Sequence, residues 1–305
     1  MAGMTWDPIY AAGLLSAGAT QGDLRRCLDV VSSHEQYDNL TQAECADLGL
    51  PFLRPALSYV SDVTPVLITS ELYPSALRAT PSPPPLLYVK GVIPKGMKAL
   101  AVVGSRRCSK IGEGVAKSAV ASVKGVGGCT VSGLALGCDT AGHVYSIESE
   151  VLTVGVLACG LDDIYPRENA ALASRILDAG GALVSAQPPG TKVSPQRLMA
   201  RNRIIAGMSF AMVPAECPRD SRGTIAAARV CLDYDRFLLL GRPKGRYRSH
   251  PGSWLAEACA YQSDDLYRVI PSKNKRVFSP NGIAESSEDL AEMVRLAYHF
   301  SQHTL

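Results

Sequence analysis

From residue 99 onward the chain alternates between two patterns. Six short apolar runs read as strands: Leu100–Gly104, Cys129–Ser132, Thr153–Ala158, Ala182–Ser185, Phe210–Pro214 and Arg236–Leu240. Between them lie five stretches with helical character: Gly112–Lys124, Thr140–Glu150, Glu168–Ala179, Pro195–Ala206 and Gly223–Asp233. The runs are apolar throughout, as strands buried on both faces are. Repeated strand–helix–strand units predict an α/β fold with a mostly parallel sheet, right-handed crossovers and helices on both faces. Glycines stand where helices should stop, at Gly125 and Gly180.

The flanks read differently. Residues 1–60 suggest a small helical module. Asp7-Pro8 opens a helix to about Leu15, Thr20 caps a second, and Thr41 and Glu44 have capping-box spacing for a third. Residues 61–98 hold two short strand candidates, Val66–Thr69 and Leu86–Val89, around a segment with Pro81, Pro83, Pro84 and Pro85. Prolines at that density forbid a helix, so this stretch is expected to add edge structure to the sheet. After Gly241 comes a basic loop rich in Gly and Pro, Arg242–Gly252, then a short helix, Trp254–Tyr261. A tail follows with one strand candidate, Tyr267–Ile270, and an amphipathic helix, Ser287–Phe300. Leu290, Met293, Val294 and Ala297 form its apolar stripe, expected to dock. The predicted division is therefore 1–60, 61–265 and 266–305.

Composition narrows the function classes. Hydrophobic residues make up 47% of 305, enough for a large core, and the net charge of +3 announces no polyanion partner. Charge is nonetheless uneven: Arg197 to Arg248 holds eleven Arg and Lys against four acids, so a local basic face is expected. The nine cysteines include no CxxC pair, which suits reduced, buried thiols in a cytoplasmic protein and argues against zinc. No apolar run reaches the ~18 residues of a membrane span, and no secretory leader is recognisable. No membrane partner, metal or cofactor is expected.

Polar residues collect in the turns that follow the strands. They are Gly104-Ser-Arg-Arg107, Ser132–Asp139, Cys159–Pro166, Gln187–Gly190 and Ala215–Thr224. In a parallel sheet these turns share the carboxyl edge, where ligands bind. The first offers backbone N–H groups, a following helix N-terminus and two guanidiniums, all suited to phosphate. It lacks GxGxxG, and no Walker A sequence is present, so dinucleotide and NTPase readings have little support. Asp139 and His143 stand four apart on one helix, an acid/base spacing. Without a nucleophile beside them, a helix cap and a structural hydrogen bond are the favoured readings, and no catalytic residue is assigned. Aromatic residues are only 6% of the chain, so stacking surfaces for bases have to come from a few residues such as Tyr165, Phe210 or Tyr247, with Phe210 expected in the core.

An ordered set of short blocks then carries a resemblance. Tyr73-Pro, Pro84–Gly91, Val103-Gly-Ser-Arg106, Val131–Ala135, Gly137-Cys-Asp-Thr-Ala-Gly-His143, Gly160-Leu-Asp, Tyr165–Asn169, Pro188-Pro-Gly190, Arg201–Ser209, Ser221-Arg-Gly-Thr224 and Gly252-Ser occur in sequence. Over about residues 65–262 the chain resembles the DprA/Smf DNA-processing proteins. The resemblance implies an extended Rossmann-like fold whose strand-end groove binds single-stranded DNA. It implies that Gly104, Ser105 and Arg106 hold backbone phosphate, that Gly133 permits close approach, that Asn202 and Arg203 line the groove and that Gly223 and Thr224 close it. Arg107 and Lys192 are candidates by proximity. A RecA-type recombinase and a second copy of the chain, as a homodimer, are the implied partners. The chain has Leu198-Met199 where the family often has Phe-Pro, and Arg222-Gly-Thr where Ser-Gly-Ser is usual. Two other readings compete: a nucleotide sensor or base-cleaving hydrolase using Asp139, Glu168 or Glu216, and an interaction scaffold.

Overall fold

The computed structural model describes residues 6–55, 62–241, 250–260 and 281–304. Four helices come first: α1 (Pro8–Ser16), α2 (Gln21–Val30), α3 (His34–Asp38) and α4 (Gln42–Asp47). The caps read from sequence start them. Asp7 accepts from the N–H groups of Ile9 and Tyr10, and Thr20/Asp23 and Thr41/Glu44 form full capping boxes. Then follow β1 (Thr64–Leu67), α5 (Ser75–Arg78), β2 (Leu86–Gly91) and β3 (Ala99–Gly104). The alternating part continues with α6 (Lys110–Gly125), β4 (Cys129–Ser132), α7 (Cys138–Glu148), β5 (Thr153–Leu157), α8 (Ala170–Asp178) and β6 (Ala182–Ser185). It ends with α9 (Pro195–Met208), β7 (Ser209–Glu216), α10 (Arg222–Asp233) and β8 (Phe237–Gly241). The last elements are α11 (Trp254–Ala260), β9 (Gly282–Ala284) and α12 (Ser287–Thr304).

All six predicted strands of the alternating part form, and the helices differ at their ends. α6 begins two residues before Gly112 because Ser109 Oγ accepts from the N–H groups of Ile111 and Gly112. The stretch from Glu168 opens as a 3-10 turn, Arg167–Asn169, before α8. α9 runs to Met208, directly into β7. The candidate strand Tyr267–Ile270 and residues 242–249 of the basic loop lie outside the described residues.

The nine strands form one mixed sheet in the order β1-β2-β6-β5-β4-β3-β7-β8-β9. From β6 to β9 every pairing is parallel. β2 runs antiparallel to β6 (Tyr88 opposite Ser185) and β1 antiparallel to β2, so the proline-flanked strands do extend one edge. This is the mixed, Rossmann-like α/β sheet expected from sequence. Alternation within β3 shows how both faces are covered. Leu100 and Val102 pack with α6 and α12, while Ala99, Ala101 and Val103 pack with α9 and α10. The N-terminal helices share a core with β1, β2 and α8 through Leu14, Leu24, Leu86 and Ile176. Among the described residues no helix is long and apolar enough to cross a membrane.

Candidate functional site

β3 ends at Gly104, where α7 comes very close. A Cβ on Gly104 would lie 2.6 Å from Cys138 Sγ, so the site requires glycine. The turn that follows is tied on both sides. Ser105 N–H donates to Glu216 O at 2.9 Å, and Ser105 O accepts from Cys138 N–H at 3.0 Å. Ser105 Oγ accepts from Arg107 N–H at 3.1 Å. The backbone is thus fixed while Arg106 and Arg107 stay exposed. Across from them lies the start of α10. No side chain caps it, and Ser221, Arg222, Gly223 and Thr224 line the space. Asn202 Nδ2 donates to Gly223 O at 3.3 Å and joins α9 to that helix end. The groove so formed encloses about 470 Å3.

Its chemistry favours anions. An uncapped helix N-terminus presents N–H groups and the positive end of a helix dipole. Arg106, Arg107 and Arg222 face it without an acidic partner among the described residues. The start of α6, expected as an anion seat, does not serve: Ser109 Oγ caps it, and Glu216 Oε2 accepts Ser109 N–H at 2.7 Å.

Of the two carboxylates lining the groove, Asp220 is exposed and Asp139 is locked away. Asp139 accepts from Gly133 N–H at 3.1 Å and Ala135 N–H at 3.4 Å, with Arg201 Nη1 3.7 Å distant. Both partners of this ion pair are more than nine-tenths buried. Burial raises the Asp139 carboxyl above its ordinary range against the pull of Arg201, and it lowers the Arg201 guanidinium. Asp139 is therefore not the cap of α7, whose cap position is Gly137. It is a clasp that holds the turn after β4. Arg201 occupies the place of a Gly133 Cβ, so the close approach that glycine permits is an internal one.

His143 does not face Asp139. Its Nδ1 shares a 2.7 Å hydrogen bond with Thr153 Oγ1, in a buried network with Thr130 and Ser146, while Nε2 is buried without a partner. Burial, helped by the Arg201 charge, pushes its pKa down to about 3. It is neutral near pH 7, in keeping with the structural rather than the acid/base reading.

The groove thus collects Gly104, Ser105, Arg106, Arg107, Asn202, Gly223 and Thr224. Gly133, Lys192 and Arg203 are not among its lining residues. Lys192 Nζ pairs with Asp163 at 3.0 Å, and Asp162 accepts Gly190 N–H at 2.9 Å, so the turns after β5 and β6 bind each other. The single groove expected from five turns is divided, because α9 stands between the two sets. Of the three acids considered for hydrolysis, only Asp139 lines the groove; Glu216 is buried behind it and Glu168 is exposed elsewhere. Phe210 is in the core against Tyr298, Tyr165 is exposed, and Tyr247 lies outside the described residues. Sequence reasoning missed the Arg201 clasp and the role of Arg222. It also missed that Cys108 and Cys138 bring their sulfurs to 3.3 Å beside Glu216. Their separation in sequence carries no ligand-spacing signal.

Comparison with known proteins covers the same part of the chain. The family described as DNA recombination-mediator protein A matches residues 64–262. The DNA processing protein DprA of Bacillus subtilis (strain 168) is 30% identical over 225 residues, 72% of this chain and 75% of that protein. Protein Smf of Escherichia coli (strain K12) is 36% identical over 189 residues, 61% of this chain and 50% of that protein. The X-ray structure of DNA processing protein A from Streptococcus pneumoniae superposes with a TM-score of 0.69 at 23% identity, over 95% of this chain and 98% of that one. DNA processing protein A from Helicobacter pylori, solved for its single-stranded DNA binding mode, gives 0.60 at 19% identity, over 77% and 96%. At these identities the two structures speak to the shared fold.

Proposed function

This chain belongs to the DNA recombination-mediator protein A family, and from that premise we propose that its groove binds single-stranded DNA through backbone phosphates. The observation that carries the reading is the convergence of Arg106, Arg107 and Arg222 on the uncapped start of α10. Guanidiniums take phosphate oxygens in pairs, and the helix end adds N–H donors. Ser105, Gly104, Asn202, Gly223 and Thr224 shape the backbone around that seat. Gly133 acts one step back, by admitting Arg201, while Lys192 and Arg203 act outside this groove. With no aromatic side chain among its described lining residues, the groove holds a strand by its phosphates, and phosphate contacts carry no sequence information. The protein acts in recombination, with a RecA-type recombinase and a second copy of itself as its proposed partners, and without chemistry of its own.

The test is the affinity of labelled oligothymidylate for the full chain and for Arg106→Ala with Arg222→Ala, by fluorescence anisotropy. Each charge-assisted contact contributes about 1.5–3 kcal/mol. The double substitution should therefore cost at least ~2 kcal/mol, or roughly thirty-fold in Kd. Unchanged affinity would sink the reading.

A further inference from the structure

α9 has a second flank. There it forms one wall of a wider cleft of about 1170 Å3. The opposite wall is α2 and the proline-rich segment 81–85, and the ends of β1, α5, β5 and β6 contribute the remainder. Arg25, Arg78, Arg197, Arg201 and Arg203 line it, and no Asp or Glu is among the described lining residues.

Arg201 is paired with Asp139, while the other four arginines are positioned without being neutralised. Arg25 Nη2 donates to Pro83 O at 2.9 Å. Arg197 Nε donates to Gln187 Oε1 at 3.1 Å, and its Nη1 to Lys192 O at 3.0 Å. Arg78 lies over the Tyr73 ring and donates to Ser70 O. Arg203 is exposed with no acidic partner among the described residues. Carbonyl acceptors fix a guanidinium and leave its full charge in place, so the cleft carries a positive field that a polyanion relieves. Its volume exceeds the ~300–1,000 Å3 of small-molecule pockets. The proline rings and Ile68 offer apolar faces for flat bases.

Arg201 lines both this cleft and the groove of Arg106, so the two spaces meet at α9. We infer that the cleft takes the continuation of a DNA strand seated in the first groove, a second segment site whose far wall is the N-terminal helical region. This rests on the reading of the first groove as a single-strand seat. It also gives α2 a part in binding. Gln21 Nε2 donates to Leu86 O at 3.2 Å and Ala186 O at 2.7 Å, which pins that helix, and with it Arg25, to the sheet.

Strand length separates the two sites. Anisotropy would be measured with labelled oligothymidylates of six and twenty nucleotides, on the full chain and on Arg203→Glu, with Arg25→Gln as a second variant and circular dichroism to establish folding. The expected result is a loss of about tenfold or more for the long strand, with a salt slope smaller by ~0.7 per lost contact, and an unchanged hexamer affinity. Long-strand affinity unaffected in both variants overturns the second site. Equal losses at both lengths also overturn it, since the arginines would then serve the first groove. A hexamer that fails to bind the unaltered chain overturns the first-groove reading, and this inference falls with it.

Discussion

Arg201 and Arg203 stand two residues apart on α9, which places them on nearly opposite sides of the helix at ~100° per residue. One is more than nine-tenths buried against Asp139, and the other is exposed in the second cleft. The same period explains why Asn202, between them, reaches α10. His143 is the other residue whose environment decides its role. Its pKa of about 3 lies below the ~6.5 of an unfolded chain. The unfolded state therefore binds the extra proton first, and stability falls as pH drops from about 6.5 toward 3, by up to ~1.4 kcal/mol per pH unit. Asp139, raised by burial, contributes the opposite slope above its ordinary value. Comparison with a variant that keeps Asp139 removes that contribution. Urea unfolding of the protein and of His143→Gln at pH 7, 6 and 5 should show the gap in stability narrowing as pH falls. Parallel curves would contradict a neutral, buried His143.

At the scale of elements, α9 and α12 matter most. α12 packs on α6 and the sheet through Leu290, Val294 and Ala297, with Tyr298 edge-on to Phe210 at 5.6 Å. Lys98 Nζ donates to Ser301 O at 3.2 Å, which fixes its end. Truncating a buried leucine removes transfer energy and leaves a cavity. Leu290→Ala should lower the unfolding free energy by ~2–5 kcal/mol, read as a lower urea midpoint with an unchanged slope; a midpoint within error of the unaltered protein would show that α12 is not docked. The docking stripe was legible because a 3.6-residue period survives in sequence. So were the six strands, whose apolar runs are continuous, and the starts of α2 and α4, whose caps are local. The division of the strand-end surface by α9 was not. It depends on where a crossover helix lies over strands it never follows, and no local pattern encodes that. The Asp139–Arg201 clasp and the Cys108–Cys138 pair were hidden for the same reason, since each joins two segments that meet only when the sheet has formed.

The whole molecule carries a net charge of +3, too little for long-range attraction to dominate binding of a polyanion. On the proposed reading, affinity comes from the few guanidiniums placed to reach phosphates directly, and salt dependence counts them. Each phosphate neutralised on a single strand contributes ~0.7 to the slope of log K against log salt concentration. Arg106, Arg107 and Arg222 in the first groove predict a slope near −2 for a hexanucleotide, because three contacts at ~0.7 each release about two counterions. A longer strand that also crosses the arginines of the second cleft should give a steeper line. Anisotropy titrations at four or more salt concentrations measure both slopes on the same preparation. A hexanucleotide slope near zero would mean that binding runs through bases and apolar contacts, against a phosphate seat at the end of β3. A slope several times steeper would mean that cations beyond the groove take part, and the strand path would then need to be redrawn across the protein surface.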